Sequence, residues 1–465
     1  MLFSSPEFLF LYLPITLAVY FVSPRGWRNA VLLIFSLLFY GWGEPIYVFL
    51  MIFTLLVDYA FGLAVGRVKS KRGKRIALVA AIVVNLGLLG FFKYYDFLAV
   101  SLSRIGIFGA LEPLGIELPI GISFYTFQAL SYVVDVYRDE VAPQRNPVSF
   151  GTYVTLFPQL IAGPIVRYKQ VSEQLDHREH SVSLAAAGVR TFICGLCKKV
   201  LIANTAGALW SSAALIPAGE RTVLGAWMGI FWYTIQIYFD FSGYSDMAVG
   251  LGRVLGFEFP ENFNYPYISK SITEFWRRWH ISLSSWFREY VYIPLGGNRR
   301  GRARTYLNLL AVWLLTGLWH GAGLNFILWG LYYFIVLVIE KSFLLRWLDR
   351  APGMIRSIYA IVFIMIGWLL FVSEDGTWGF SYLRTMLGGA SFAASRDLYD
   401  LKRTALFALV AIIGATPIPK RVFVTLGSRI KGVAHLTAVA SVALLVLSVA
   451  FMAGESYNPF LYWNF

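Results

Sequence analysis

The chain carries little charge and almost no cysteine for its length. Only 14% of its 465 residues are Asp, Glu, Lys or Arg, against about 25% in an ordinary soluble domain. Its two cysteines, Cys194 and Cys197, are too few for a disulfide framework, and the sequence places no further zinc ligands near them. No internal repeat is present. These absences exclude a soluble globular protein and a disulfide-stabilised scaffold.

Long apolar runs are what the chain has instead. Apolar residues make up 58% of it, more than a soluble protein of this size can bury. Because one helical span needs about 20 apolar residues, the sequence predicts an all-α polytopic membrane protein of about 11–13 transmembrane or re-entrant helices, in one domain over residues 1–465. The predicted spans are 8–22, 29–43, 45–66, 76–92, 118–133, 148–166, 186–208, 222–250, 357–373, 404–416 and 433–453, and 97–110 is a shorter run whose crossing stays open.

Basic residues exceed acidic ones by a wide margin. The net charge of +14 fits the excess of Lys and Arg in cytoplasmic loops better than it fits a nucleic-acid-binding protein. The basic segments Arg67–Arg75, Arg299–Arg304 and Lys420–Lys431 are therefore predicted to be cytoplasmic, which places both termini on the other side. The first residues lack the basic segment of a cleavable signal peptide, so 8–22 is predicted to remain as a span.

Residues 253–306 form a polar, aromatic-rich region on the predicted cytoplasmic side. Within it, seven residues recur at helical spacing, which predicts one amphipathic helix over 276–290 with its apolar face on the membrane surface. A helix that binds another protein is the alternative. The residues of the apolar face are Trp276, Trp279, His280, Leu283, Trp286, Phe287 and Tyr290.

Residues 307–339 contain no charge over 33 positions, too long for one span and too short for two. Glycines surround His320 halfway along, which predicts a broken or re-entrant pair of helices that turns there. Basic residues on both flanks agree with this geometry. An ionisable residue at membrane depth indicates a functional site, and a neutral imidazole is suited to accept a proton. A histidine that only hydrogen-bonds between helices is the alternative.

Seven motifs lie in order over nearly the whole chain. They are MLFSSP with FLFLYLP (1–14), LPIGISFYTFQ (118–128), FPQLIAGPI (157–165), YFDFSGYSD (238–246), EFWRRWH (274–280), YIPLGGN (292–298) and WHG (319–321). Together they resemble the membrane-bound O-acyltransferase (MBOAT) family, in particular its bacterial branch that acetylates polysaccharides.

The resemblance implies a fold and an activity. The fold is a ring of transmembrane helices around a central funnel or tunnel, and the two signature histidines of the family correspond to His320 and His280. The activity is acyl transfer from a thioester, with cytoplasmic acetyl-CoA as donor and no bound cofactor or metal. In this branch the acetyl group crosses the bacterial inner membrane to periplasmic or extracellular acetyltransferase partner proteins, which esterify sugar hydroxyls.

The residues fit that chemistry. A thioester is already activated, so the protein needs a base for the attacking hydroxyl and donors for the oxyanion. His320 is the predicted general base, with few packed neighbours at its helix break, and His280 the predicted assistant. Arginines on the cytoplasmic side suit donor phosphates, although positive-inside bias also accounts for them. The donor-binding candidates are Arg277, Arg278, Trp279 and Asn298, with Arg299 and Arg300 nearby, and the tunnel candidates are Asp240, Tyr244, Asp246, Gln159 and Trp319.

Several alternatives stay open. The same fold could acylate peptidoglycan or cellulose, or transfer D-alanine to teichoic acid. A polysaccharide or acyl transporter without acyl chemistry is the alternative from another class, although transporters usually show inverted repeats. The sequence does not identify the polymer, and it leaves open whether this chain esterifies the sugar or delivers acetyl to a partner.

Overall fold

A computed structural model describes residues 1–104, 112–429 and 433–454 together with Leu461. These residues form helices joined by turns and loops, with no strand among them. The α-helices are α1 Leu13–Val22, α2 Arg28–Gly43, α3 Tyr47–Arg67, α4 Lys71–Arg104, α5 Ile122–Tyr137, α6 Pro147–Thr155, α7 Phe157–Leu160, α8 Tyr168–Asp176, α9 Val182–Cys197, α10 Asn204–Ala214, α11 Val223–Val254, α12 Ile272–Arg278, α13 Ile281–Phe287, α14 Arg302–His320, α15 Leu324–Ile339, α16 Leu345–Leu348, α17 Gly353–Val372, α18 Gly376–Met386, α19 Ser395–Gly414, α20 Ile418–Arg429 and α21 Val433–Gly454.

The predicted all-α polytopic class is confirmed. Within the described ranges, six helical segments are long and apolar enough to cross a membrane, and a seventh span results if α19 and α20, bent by 67°, are counted as one. The six are Tyr47–Arg67, Lys71–Ser103, Val182–Ala214, Leu324–Leu348, Gly353–Val372 and Leu436–Gly454. The predicted run 8–22 is also helical but shorter than these spans.

The described residues divide into two compact units. The first comprises Met1–Phe192, Tyr244–Pro260 and the described part of Phe460–Phe465, and the second comprises Ile193–Gly243 with the described part of Glu261–Pro459. His280 and His320 therefore belong to the second unit, whereas Gln159, Tyr244 and Asp246 belong to the first.

Two predicted apolar runs are divided into helices differently in the structure. The run 97–110 is not separate, because α4 is one helix of 34 residues up to Arg104, and the rest of that run lies outside the described residues. The single span 148–166 is wrong: α6 ends at Thr155 and α7 begins at Phe157. Pro158 lacks the N–H that a continuous helix would use, and it suits the first turn of a new one.

In the first unit, two of the motifs pack directly against each other. Gly121 begins α5 with a left-handed φ of 74°, and a Cβ on it would come within 2.8 Å of the Leu160 carbonyl oxygen. A side chain is therefore excluded twice, by backbone conformation and by lack of space. This contact brings the 118–128 motif and the 157–165 motif together in the fold.

In the second unit, residues 302–339 form an antiparallel helix pair. Helix α14 ends at His320 and α15 begins at Leu324. The hydroxyls of Tyr306 and Ser342, near the far ends, lie 3.1 Å apart. A Cβ on Gly317 would meet the Phe326 carbonyl, and one on Gly330 would meet the Trp313 carbonyl, so the two backbones touch. The turn lies where the glycines predict it, and its depth in the membrane stays a prediction.

Candidate active site

The helix predicted over 276–290 is interrupted at one of the candidate histidines. Helix α12 ends at Arg278, α13 begins at Ile281, and His280 between them has a left-handed φ of 44°. The prediction of one continuous helix is therefore wrong. The apolar-face residues Trp279, His280, Leu283, Trp286 and Phe287 are buried inside the protein, so the prediction that they lie on the membrane surface is also wrong. Arg277 and Arg288 are exposed, as the pattern predicts.

A buried carboxylate fixes the start of α12. Glu340, which is 0% exposed, accepts hydrogen bonds from the backbone N–H of Ile272 (2.7 Å) and of Thr273 (2.8 Å) and from the Thr273 hydroxyl (2.6 Å). These are donors that a helix leaves free at its N-terminus. Because Glu340 directly follows α15, the end of the helix pair sets the position of α12. The sequence reasoning missed this role, although Glu340 is the first charged residue after the 33-residue run.

Hydrogen bonds hold the ring of His280. Its Nδ1 lies 3.1 Å from Oδ1 of Asn262, which also accepts from the backbone N–H of Ser282 (3.2 Å) and from its hydroxyl (2.9 Å). Nε2 of His280 is buried, with no hydrogen-bond partner among the described residues. His280 lies outside the six candidate spans, and burial lowers its pKa to about 3, so the ring is neutral near pH 7.

The imidazole of His320 lies among aromatic rings. Its centroid is 5.0 Å from those of Trp319 and Trp329 and 5.2 Å from that of Phe371, all edge to face. The residue is 3% exposed. The expectation of few packed neighbours at the helix break is therefore wrong, because three large side chains close around the ring. Such a shell excludes water and strengthens electrostatic interactions inside it.

Both imidazoles line one cavity of about 280 Å³ in the second unit, close to the lower end of the usual range for ligand pockets. Apolar and aromatic side chains form most of the wall, Trp276, Trp279 and Trp313 among them. The Trp319 ring lies 6.0 Å from that of His280 and 5.0 Å from that of His320. Trp319 therefore contacts both histidine rings, and the largely apolar wall suits an uncharged reacting group.

Three cations also line this cavity. They are Arg277, Arg288 and Lys341, all exposed. None of the three side chains has an ion-pair or hydrogen-bond partner among the described residues. Glu340 lies next to Lys341 in the chain and interacts with its charge. A cleft lined by charges of one sign concentrates ligands of the other. The sequence did not indicate Arg288 and Lys341 as donor-binding residues. Arg288 lies within 276–290 and Lys341 follows α15, so the two come to one cavity only through the packing of distant segments.

Other donor-binding candidates lie differently. Arg278 forms an ion pair of 2.9 Å with Glu274 and donates to the Asn264 carbonyl oxygen at 3.1 Å. Asn298 is exposed and does not line the cavity. Trp279 does line it. The structure thus brings Arg277 and Trp279 to the histidines, and does not bring Arg278 or Asn298 to the same wall.

The tunnel candidates have structural partners of their own. Asp240 forms a buried ion pair of 2.7 Å with Lys199 in the second unit. In the first unit, Gln159 donates to the Tyr153 carbonyl oxygen at 2.6 Å, the Tyr244 ring stacks on that of Phe3 at 4.5 Å, and Asp246 is half-buried. Their roles in a tunnel stay predictions.

Comparison with known proteins decides the family. The model described as MBOAT, membrane-bound O-acyltransferase family, matches residues 139–373. The chain is also 39% identical to a probable alginate O-acetylase AlgI from Azotobacter vinelandii over the full length of both proteins. The chain belongs to the membrane-bound O-acyltransferase family. This MBOAT protein is therefore an O-acyltransferase and a multi-pass membrane protein, as the motifs imply.

Two further relatives show how the family diverges. A probable alginate O-acetylase AlgI from Pseudomonas putida is 40% identical to this MBOAT chain over the full length of both. A peptidoglycan O-acetyltransferase from Helicobacter pylori is 32% identical over all of this chain and 98% of that protein. Full-length similarity therefore extends to relatives named for different polymers.

Proposed function

We propose that this chain takes acetyl from cytoplasmic acetyl-CoA and passes it across the bacterial inner membrane for O-acetylation of an extracytoplasmic, alginate-like polysaccharide. The observation that carries the proposal is the cavity lined by two buried imidazoles and by three cations that form no direct ion pair within the described part of the chain. A thioester with a phosphate-bearing carrier matches both features, since its phosphates are anionic and its acyl end is uncharged. The alginate-like polymer is inferred from the relatives in Azotobacter and Pseudomonas.

His320 is the proposed general base. It takes the proton from a hydroxyl of the acetyl acceptor, and the oxygen of that hydroxyl forms a bond to the thioester carbonyl carbon. The C–S bond then breaks, and the imidazolium returns the proton to the leaving thiolate, which departs as CoA thiol. The aromatic rings packed around His320 would limit the access of water, which could otherwise hydrolyse the thioester. His280 assists from the opposite helix break, and periplasmic or extracellular acetyltransferase partners receive the acetyl group and place it on sugar hydroxyls.

The test is transfer of isotope-labelled acetyl by the protein reconstituted in vesicles. Acetyl-CoA is supplied on one side and oligosaccharides of alginate or peptidoglycan on the other, with and without envelope extract as the source of partners. We expect release of CoA thiol and labelled ester in the alginate fragments. Labelled ester in peptidoglycan alone would contradict the proposed alginate-like polymer. Polysaccharide transport without release of CoA thiol would contradict the proposed acyl transfer.

Neutralising the three cavity cations should weaken donor binding. We expect Arg277→Gln, Arg288→Gln and Lys341→Gln each to raise the KM for acetyl-CoA about threefold to tenfold, with a smaller change in kcat, because exposed charge pairs contribute modestly. Steady-state kinetics at two salt concentrations measures this, since screening should reduce the difference between variants and wild type.

Arg278→Gln is the matched control, because Glu274 already pairs with this arginine. It should change KM less than Arg277→Gln does. An equal effect of both substitutions would show that Arg278 also binds the donor. An unchanged KM in the variant that combines all three cavity substitutions would show that these cations do not bind the donor, and their presence would then reflect only the general excess of Lys and Arg on the cytoplasmic side.

The proposed orientation follows from loop charge. With Cys194 and Cys197 replaced by serine, a cysteine at Arg72 should react with membrane-impermeant reagents only after cells are opened. A cysteine at Ile46, in the turn predicted outside, should react in intact cells, because this position is 77% exposed. Mass shift of the labelled protein is the measurement, and reaction of R72C in intact cells would reverse the orientation and the predicted placement of both termini.

A further inference from the structure

We propose that Asn262 is a positioning residue that fixes the tautomer of His280, so that Nε2 can only accept a hydrogen bond from an O–H or N–H group of the bound substrate. The inference rests on the proposed acyl transfer for the identity of that substrate. Its geometric basis is the set of hydrogen bonds around the Asn262 side chain, which lies 18 residues before His280 in the sequence.

The orientation of the Asn262 amide is determined by its partners. The backbone N–H of Ser282 can only donate, and it points at Oδ1 from 3.2 Å. The Ser282 hydroxyl approaches the same atom at 2.9 Å. If the amide were rotated by 180°, its NH₂ group would face the Ser282 N–H, and two donors would meet. The atom beside His280 is therefore an acceptor.

An acceptor at this position decides where the imidazole carries its hydrogen. Nδ1 of His280 lies 3.1 Å from Asn262 Oδ1, so Nδ1 must be the donor. Because a neutral ring has one N–H, Nε2 carries the lone pair. That atom is buried without a partner among the described residues, and the residue lines the cavity. A buried acceptor of this kind costs free energy until a ligand satisfies it.

Backbone hydrogen bonds hold Asn262 beside His280. The Asn262 carbonyl oxygen accepts from Ile281 N–H at 3.0 Å, and Asn264 N–H donates to the Arg278 carbonyl oxygen at 2.9 Å. The segment 262–264 therefore bridges the break between α12 and α13 from both sides. This support also explains how His280 is held at a left-handed φ, a backbone conformation that is strained for a residue with a side chain.

The ligand group has two possible sources with the same chemistry. The pantetheine arm of a CoA thioester offers amide N–H groups, and the acyl acceptor offers its hydroxyl. If an amide N–H of the pantetheine arm donates to Nε2, the hydrogen bond contributes to donor binding, and its loss would raise the KM for acetyl-CoA. A hydroxyl on Nε2 would act on the reacting group and appear in kcat.

The kinetic test compares Asn262→Leu with Asn262→Asp. Leucine removes the acceptor, and we expect about a tenfold loss in kcat/KM for acetyl-CoA, the size of one hydrogen bond. Aspartate keeps the acceptor and adds a charge that raises the pKa of His280. N262D should therefore be near wild type at high pH. As pH falls through the raised pKa, Nε2 gains a proton, ceases to accept, and activity falls.

Other titratable groups face the same cavity and must be separated from this effect. They are His320, Arg277, Arg288, Tyr292 and Lys341. The rings packed on His280 are the uncharged Phe241, Phe263 and Trp319. Because the cavity groups are the same in every variant, the pH effect is read as the difference between N262D and wild type. Asn264→Asp is the matched control, since it adds the same charge two residues away at an exposed position.

Thermal unfolding and nitrogen-15 spectra test the role of Asn262 independently of enzyme activity. Thermal unfolding of each variant shows whether N262L folds, and N262D carries the test if it does not. Nitrogen-15 spectra of histidine-labelled protein, assigned with His280→Ala, read the tautomer without any activity and so separate this proposal from the proposed function. Protonated Nε2 in the wild type, or a pH profile of N262D that matches those of wild type and N264D, would overturn the proposal.

Discussion

Replacing His320 with alanine is expected to reduce acyl transfer about 10²–10⁴-fold, the usual loss on removing a general base. The ring lines the cavity beside His280, and the aromatic shell around it leaves little water to substitute as a proton acceptor. His280→Ala should also impair transfer, but less, because its role is to assist.

The substitution will also cost stability, because Trp329 and Phe371 pack on the ring that alanine removes. His320→Gln is therefore the companion variant, since it fills more of the space without being a base. Polymer-linked acetyl in cells is the readout, with the membrane level of each protein measured in parallel. His177→Ala, at an exposed histidine of the other unit, should leave both unchanged. Full acetylation by stably inserted H320A or H320Q would exclude His320 as the base.

Removing one partner of the Lys199–Asp240 ion pair is expected to be the most destabilising single change among the polar residues considered. The two groups are 2.7 Å apart, with 3% and 1% of their side chains exposed. Asp240→Ala would leave the ammonium group buried without this carboxylate, which typically costs about 3–5 kcal/mol. Thermal or denaturant unfolding in detergent measures the loss.

The double variant Lys199→Met, Asp240→Leu distinguishes a pair that only stabilises the fold from a pair that takes part in the reaction. Apolar replacement of both partners is often neutral, so unfolding should return toward the wild-type midpoint. Restored stability with restored acyl transfer would make the pair structural. Restored stability without transfer would place Asp240 in the reaction, as the tunnel hypothesis holds.

Local patterns predict much of this fold because they act within one helix. Apolar runs predict most of the long helices, and the glycines around His320 predict the turn between α14 and α15. The breaks at Leu156 and His280 do not follow from those patterns. Pro158 was a local signal for the first, whereas the second depends on Asn262 and Glu340, which act across the fold and have no periodic relation to α12.

The same distinction applies to the site. His280, Arg277 and Trp279 lie in one motif, so sequence alone brings them together, and the family resemblance adds His320. Lys341 and Asn262 are close to these residues only through packing of α15 and of the 262–264 segment. Arg278 shows the converse: its neighbour in sequence lines the cavity, whereas Arg278 pairs with Glu274 because consecutive helical positions point in different directions.

The glycine contacts between α14 and α15 make this helix pair a common support for both walls of the cavity. Backbone touches backbone at Gly317 and Gly330, so these helices have no side-chain layer to rearrange and cannot move closer. The facing wall is built from α12 and α13, of seven residues each, lengths at which helices depend on their surroundings for stability. Because Glu340 at the end of α15 accepts hydrogen bonds from the start of α12, the wall that carries His280 takes its position from the same pair of helices that carries His320.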